Sequence, residues 1–568
     1  DPGAGGGDEV FAFIPNATLV NSANTNISEL IEPSYSHQYV LDATPVVDDI
    51  YITGKQSSKS WRTVLLGAFG AGGKGLFALD VTDPAISEST SSDEVLWEFT
   101  DNDDTYPTDS DGSAITTGGA QRVDGSGMPI KDLGLSIDEP VIAMSNVYVA
   151  VDDTDLEWIG LLSNGLNSTS GIAKLFGLFI DRGADGTWCH PDARFDDFSD
   201  ISAGLRGSCD AADYDFIKID TGAGGYSLGG SIYPNGLGAP RAIDADTDGT
   251  VDYVYAGDIQ GNLWRFDLCR ADLDAWESGD SLSQYDGGAG TCKKGAQIYE
   301  TWQTTKIFTA SYTVSGITTS QPILNKPVVT NAPNDAGYIV IFGTGTYVIN
   351  GDRNDTDIQS IYGVWDRLGS DTVVKSKLVQ QAYTNSCETI TEDGTSTTTC
   401  GRTLSDNSVV LYESTDSETT PSVLGWFNDL DVAGSGDVAA APGERAIRNF
   451  QIRGDIGFVN SVSPTTSNAC SASAGGFGLA FCPLTGGSGC VSGAVFDINN
   501  DGAFDASDSI NTSVIFGTIF EDSAPTDATF VGENRVTQLT DRSLQIVKTN
   551  TASTVNTGRL SWRRLSND

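Results

Sequence analysis

The chain is short of the residues that build most catalytic centres. Its 568 residues contain two histidines, His37 and His190, and two methionines. Histidines this few, on separate stretches, leave no Ser-His-Asp set to assemble. With the thiols so scattered they make no zinc site either. Basic residues are also scarce, 32 Lys and Arg against 77 Asp and Glu, for a net charge of −45. A field of that sign repels DNA, RNA and anionic lipid, which excludes nucleic acid as a partner. No run of about 18 apolar residues occurs, so no helix is expected to insert into a membrane. Cys-x-x-Cys is absent, and with it the Cys-x-x-Cys-His haem attachment. Long Ala/Glu/Lys/Leu stretches are missing, so few helices are expected. The chain opens at Asp1 without Met or a signal peptide, which reads as a mature or trimmed portion of a longer protein.

What the chain has in quantity is glycine, 65 residues, among Val, Ile, Thr and Tyr. That mixture favours strands and tight turns. One phrase recurs: an apolar strand, a Gly-rich turn, and a second strand ending in Asp. Arg62–Gly67 runs through Gly70–Gly75 to Leu76–Asp80. Trp158–Leu162 leads to Lys174–Asp181, Tyr253–Gly257 to Asn262–Asp267, and Tyr338–Tyr347 to Ile361–Asp366. Gly476–Phe481 is a weaker fifth copy, and Ser513–Gly517 with Ser543–Val547 a sixth. Repeated small antiparallel sheets predict an all-β fold, a modified β-propeller of roughly six to seven blades spanning residues 1–568. Long polar insertions separate the blades, and the first is expected to be incomplete, beginning within Glu9–Pro15. Cys387–Cys400 and Thr420–Pro442 read as insertions on the blade-connecting faces.

Nine cysteines without a metal pattern imply disulfides and an oxidising compartment. Sequence neighbours suggest Cys189–Cys209, Cys269–Cys292 and Cys387–Cys400. Cys470, Cys482 and Cys490 remain, one of them free or intermolecular.

The most concentrated chemistry lies in Asp244-Ala-Asp246-Thr-Asp248-Gly249-Thr250-Val-Asp252. Carboxylates on alternate positions, with a glycine after the third, let a tight loop turn its oxygens inward around one hard cation. Ca²⁺ accepts six to eight oxygen ligands in irregular geometry and is the expected occupant. Strand, turn and strand come directly after it, so the loop sits at the edge of a hairpin. A second candidate is Asp497-Ile-Asn499-Asn-Asp501-Gly502-Ala503-Phe-Asp505-Ala-Ser-Asp508. It matches the EF-hand loop at positions 1, 3, 5, 9 and 12, with Gly at 6 and the carbonyl of Ala503 at 7. Asp508 replaces the usual Glu at 12 and is one methylene shorter. The acidic excess as a whole serves solvation; only these two patterned loops point to calcium. Asp101–Asp111 and Asp152–Asp155 lack the alternation and read as solvated loops. Arg453-Gly454-Asp455 spells an integrin-type tripeptide, but its flanks predict a strand with a glycine bulge. Trp264, Phe266, Trp365 and Trp562 are expected in blade cores. Carboxylate pairs are too plentiful to point to glycosidase chemistry.

A longer series of signatures resembles the C-terminal domain of the PilC/PilY type IV pilus tip and biogenesis proteins. It runs through Phe11–Pro15, Tyr35-Ser-His37, Asp42–Pro45, Trp61-Arg62-Thr63, Gly70–Pro84 and Gly165–Ser168. It continues through Ala239-Pro-Arg241 with the first acidic loop, Ala256–Leu268, Gln321-Pro322, Phe342–Gly345, Gln359–Gly363, Gly443-Glu-Arg445 and Arg559–Arg563. The likeness covers nearly the whole chain; the von Willebrand A-like part of many members is not in this sequence. The resemblance implies a non-enzymatic, calcium-binding protein at a pilus tip, outside the cell after periplasmic export. Such a protein supports fibre assembly, opposes retraction and attaches to surfaces. Its expected partners are minor pilins of the tip complex and a host or abiotic surface ligand. The family's calcium loop falls on Asp244, Asp246, Asp248 and Asp252, with Thr250 offering its carbonyl. The family often has Asn where Asp248 stands, so this loop carries one more charge. Two other readings of the residues are a quinoprotein-type propeller dehydrogenase, which shares such blade endings, and a calcium-dependent lectin-like module.

Overall fold

Apolar runs bounded by Gly-rich turns fold here as strands, and the one α-helix among the described residues is the single turn Asn16–Leu19. The computed structural model describes residues 11–19, 32–37, 39–83, 94–104, 131–137, 139–148, 155–185, 188, 215–228, 231–268, 302–349, 351–392, 395–411, 422–434, 438, 440–464, 475–491, 493–520 and 523–550. The chain divides into two compact units: residues 1–259 with 263–306, and 260–262 with 307–568.

In the first unit, β1 (Val46–Ile52), β2 (Ser60–Ala68), β3 (Gly75–Asp80) and β4 (Val95–Thr100) form one antiparallel sheet in chain order. The four strands β5 (Val141–Tyr148), β6 (Leu156–Ser163), β7 (Lys174–Phe179) and β8 (Phe216–Asp220) repeat that arrangement. A two-stranded ribbon, β9 (Tyr226–Leu228) and β10 (Ser231–Tyr233), comes next. A third sheet contains β11 (Arg241–Ile243), β12 (Tyr253–Gly257) and β13 (Asn262–Asp267). Every residue of β3 and β7 is buried, as a central strand covered on both faces requires. On the edge strand β1 alternation survives, with Ile50 and Ile52 inside and Asp49 and Tyr51 outside. Leu66, Leu76 and Phe99 of the first sheet pack with Phe176, Leu178 and Phe216 of the second. The other face of the second sheet, with Ile159, Leu161 and Leu175, meets Val254, Ala256 and Phe266 of the third.

The second unit holds a five-stranded sheet, a six-stranded sheet and a three-stranded sheet. The five-stranded sheet runs Val328–Asn331, Tyr338–Gly343, Ser360–Asp366, Gly425–Asp429, Val379–Gln381, the last pair being parallel. Gly363 lies opposite Trp426, and a Cβ there would come 2.2 Å from the indole, so only glycine lets the ring lie flat on the sheet. Trp264, Phe266 and Trp365 are buried core residues; Trp562 lies outside the described residues. The six-stranded sheet contains the hairpin Tyr383–Glu392/Thr395–Leu404, in which Cys387 and Cys400 face each other across the register and form the expected disulfide. Cys482 and Cys490 form a second. Cys189, Cys209, Cys269, Cys292 and Cys470 lie outside the described residues.

The recurring Asp at the strand ends has a structural cause. Asp80 accepts hydrogen bonds from Thr82 and an ion pair from Arg62 at 2.8 Å, and Asp366 accepts the Leu368 N–H. Asp181 receives the N–H groups of Thr53 and Gly54. Each carboxylate ties down a turn that would otherwise leave donors unmatched. Four sequence expectations change. Thr420–Pro442 is not merely an insertion: its Gly425–Asp429 is an inner strand of the five-stranded sheet, paired on both sides. The sixth copy is not a hairpin: Gly517–Phe520 pairs in the six-stranded sheet, while Leu544–Lys548 belongs to the three-stranded one. Arg453-Gly454-Asp455 is not a bulged strand. Arg453 pairs with Ile456, so Gly454, at φ +59°, and Asp455 are the two-residue tip of a hairpin. Finally, Asp104 is not solvated but wholly buried.

Candidate functional site

The first acidic loop joins β11 to β12, whose ends pair at Ile243 and Tyr253. The chain must therefore turn back within nine residues. Two left-handed residues allow it, Thr247 at φ +63° and Gly249 at φ +91°. The N–H of Gly249 donates to Asp244 Oδ2 at 2.8 Å, that of Asp248 to Asp246 Oδ1 at 3.0 Å, and that of Thr250 to Asp248 Oδ1 at 2.8 Å. Asp252 closes the circle by accepting the N–H groups of Ala245 and Asp246 on Oδ2.

These bonds draw Asp244, Asp246 and Asp252 together, each offering a carboxylate oxygen within 4.8 Å of the others. Asp248 is not in that group; its Oδ1 accepts the Thr250 N–H and hydroxyl. Asp244 is exposed, while Asp252 is fully buried at the floor of the loop. Burial, with Asp246 and Asp244 beside it, pushes the Asp252 carboxyl up to about 7 despite the amides it accepts. Burial also raises Asp244, and Asp248 and Asp246 add to the effect. Asp246 Oδ2 is buried and has no hydrogen-bond partner. An orphaned acceptor in a nest of repelling oxygens fits an oxygen-seeking divalent cation, so the donor set present suits Ca²⁺.

The second loop lies in the other unit and is anchored by Asp497 N–H donating to Lys548 O and Asn550 N–H to Val495 O. It repeats the circuit of the first. The N–H of Gly502 donates to Asp497 Oδ2, that of Asp501 to Asn499 Oδ1, and that of Ala503 to Asp501 Oδ1. Asn500 at φ +59° and Gly502 at φ +86° take the two left-handed positions. Asp497, Asp501 and Asp508 come together as the metal-capable group. Asp505 turns away to accept the Ser507 N–H and hydroxyl, which hold its carboxyl below its ordinary range. It thereby caps the 3₁₀ turn Ala506–Asp508.

Elsewhere, Arg453 lies 4.8 Å from the Phe530 ring centroid and donates to Gly532 O, so its guanidinium is held against the protein. Asp155 pairs with Lys59 at the surface, as a solvated acidic run should. Sequence reasoning missed the buried charges of both units. Arg402 and Glu444 form a two-pronged pair at 2.7 Å, both fully buried, and Asp104, Asp132, Lys174 and Lys218 form a second cluster. Their partners lie far apart in the chain, and no local pattern marks them.

Comparison with known proteins places these features in a lineage. The family model described as the PilY1 beta-propeller domain matches residues 2–126 and 211–398. The type IV pilus biogenesis factor PilY1 of Pseudomonas aeruginosa strain PAO1 is 29% identical over 509 residues, covering 88% of this chain and 35% of that protein. A homologue of that factor from Xylella fastidiosa is 27% identical over 559 residues, covering 98% of this chain and 34% of the relative. The chain thus spans about a third of the length of these relatives. The crystal structure of the P. aeruginosa PilY1 C-terminal domain superposes with a TM-score of 0.62 at 26% identity, covering 96% of this chain and 90% of that one.

Proposed function

The chain belongs to the PilY1 β-propeller family, and from that premise we propose that it is a calcium-binding, non-enzymatic component of a type IV pilus tip. Its roles in this reading are to support pilus biogenesis, to bias the balance of extension and retraction, and to attach the fibre to a surface. Minor pilins of the tip complex are the expected partners, with a host or abiotic surface as the external ligand. The site of action is extracellular, after passage through the periplasm. The relatives named as pilus biogenesis factors support the first role.

The observations that carry the calcium part are the convergence of Asp244, Asp246 and Asp252 and the buried, partnerless Oδ2 of Asp246. Asp244, Asp246 and Asp252 would hold the ion, with Asp248 and the Thr250 carbonyl completing the set. At the second loop the holders are Asp497, Asn499, Asp501, Ala503 through its carbonyl, and Asp508, with Asp505 at the rim. Bound Ca²⁺ would supply positive charge that cancels the repulsion among these carboxylates. The protein's own part is to fix the loop between β11 and β12, so that a charge change in the loop is felt by paired strands. A ligand shifts a conformational balance only through unequal affinity for the two states. A loop that repels itself when empty provides that inequality.

Calorimetric titration of chelator-treated protein with CaCl₂ tests this. Saturable binding that weakens in Asp246→Ala is expected. Wild-type protein with no saturable heat, or Asp246→Ala binding as tightly as wild type, would overturn it.

A further inference from the structure

Beneath the first two sheets lies a charge cluster that the calcium reading does not use. Asp104 lies just past β4, Asp132 in the segment before β5, Lys174 opens β7 and Lys218 is on β8. All four side chains are at least 95% buried. The Lys218 ammonium contacts Asp104 Oδ1 and lies 3.1 Å from Asp132 Oδ2. Lys174 lies 3.1 Å from Asp132 Oδ1 and 3.1 Å from Asp220. Asp104 Oδ2 accepts two backbone N–H groups, from Asp132 and Leu133, each at 2.6 Å. The rings of Phe176 and Phe216 lie 5.7 and 5.9 Å from the Lys218 nitrogen, and Phe99 packs on Phe216.

These are the parts of an acyl-transfer site: an amine against a carboxyl group, two amides on the oxygen that would become negative, a second carboxylate within reach of the amine, and aromatic walls that exclude water. We propose that Lys218 and Asp104 condense to an intramolecular isopeptide bond, with Asp132 carrying the proton. Transfer of a proton from the Lys218 ammonium to Asp104 Oδ1 leaves a neutral amine and a neutral acid. The Nζ lone pair attacks Cγ of Asp104, and the carbonyl electron pair moves onto Oδ2, where the Asp132 and Leu133 amides hold it. Asp132 removes a proton from Nζ and delivers it to Oδ1. The Cγ–Oδ1 bond breaks, one water leaves, and the Cγ–Oδ2 double bond re-forms. Ammonium and carboxylate become amide and water, Asp132 is regenerated, and no oxidant or co-reactant is consumed.

The protonation states accord with these roles. Burial pushes the Asp104 carboxyl up against the pull of Lys218, which favours the acid form. Burial also lifts Asp132, but Lys218 and Lys174 outweigh it and hold that carboxyl well below the usual carboxylate range, ready to accept a proton. The bond would staple the end of the first sheet to the edge of the second, a covalent tie suited to a protein under traction.

Intact-mass spectrometry of the purified, disulfide-reduced chain tests this. The expected mass is lower than the sequence requires by one water. Digestion should yield one branched peptide joining the segments around Asp104 and Lys218, with no cleavage after Lys218. Lys218→Arg keeps the charge but cannot form the amide, and Asp132→Asn lacks the proton carrier; both should show the full mass, whereas Lys174→Arg should keep the deficit. The wild-type measurement does not depend on any variant folding. Wild-type protein at full mass, with Lys218 cleaved normally by trypsin, overturns the proposal, and so does a deficit mapped to a cyclised aspartate elsewhere. Cross-linked Asp132→Asn would remove Asp132 from its role.

Discussion

The two acidic loops, one in each unit, trace the same path but are closed by different residues. Positions 1, 3 and 5 receive the N–H groups of positions 6, 5 and 7 in both, and positions 4 and 6 are left-handed in both. The N–H groups of positions 2 and 3 then need an acceptor. In the first loop it is Asp252 at position 9; in the second it is Asp508 at position 12. The next element of the chain makes the difference. After Asp252 the chain enters β12 at once, so the closing carboxylate must come from the last loop residue. After Asp505 a 3₁₀ turn intervenes, and that turn carries Asp508 back over the loop. Asp508 also accepts the Asp505 N–H, and a Cβ on Gly502 would sit 3.5 Å from the Lys548 ammonium. The second loop is thus better satisfied by its own surroundings, and the first depends more on a cation.

The largest effect separating the loops is calcium-dependent stabilisation. A ligand at a thousandfold excess over its Kd adds about 4 kcal/mol to stability. Asp252→Ala should abolish most of the calcium-induced rise in melting temperature, and Asp508→Ala a smaller part. Differential scanning calorimetry with and without chelator measures both. Equal losses would erase the distinction, and a larger loss in Asp508→Ala would reverse it.

Next is the pH response of the chelated protein. Asp252 has a folded-state pKa of about 7, above its unfolded value near 3.9. The folded state therefore binds the extra proton, and metal-free stability should rise as pH falls from above 7 towards 4, by roughly 4 kcal/mol. At high pH that contribution is absent. Saturating calcium, which requires the ionised form, should flatten the profile. Asp252→Asn should flatten it without calcium, and urea unfolding across this pH range gives the comparison. A wild-type profile that falls on acidification through this window would contradict the burial of Asp252 as an empty-loop strain.

Local chemistry was readable in the sequence, and distant chemistry was not. Alternating aspartates reveal a loop because each acts on amides two to seven residues away, and strand-turn-strand phrases reveal hairpins for the same reason. Cys387 and Cys400 are close in sequence, and the pairing this suggests holds because the two occupy opposed positions in one hairpin. Which acid closes each loop was hidden, since it depends on the element entered next. Asp248 looks equivalent to its neighbours in the sequence, yet the fold leaves it outside the group of converging carboxylates. Asp104 sits in an acidic run that looks solvated, and only the fold shows Asp132, Lys174 and Lys218 around it. Arg453-Gly454-Asp455 misled because a glycine within apolar flanks suits a bulge and a two-residue turn equally well.

A smaller effect tests what the loops share. Gly249→Ala and Gly502→Ala each place a side chain at φ near +90°, where L residues are strained. Each should cost about 1–2 kcal/mol in chelator, and the two costs should agree. Chemical denaturation of the two variants checks this. A cost at one glycine only would mean that the common backbone path does not persist in solution.

The smallest effect concerns position 9 of the second loop. In the first loop this position is the buried closing acid; in the second, Asp505 is exposed and caps a turn. Asp505→Ala should therefore lower the melting temperature slightly, and by the same amount in calcium and in chelator, because only the Ser507 donors lose a partner. Asp505→Ser, which can still accept from the Ser507 N–H, should recover most of the loss. A calcium-specific loss in Asp505→Ala would instead make Asp505 a ligand. Both loops would then use position 9 for the ion, and the 3₁₀ turn after it would no longer account for the difference between them.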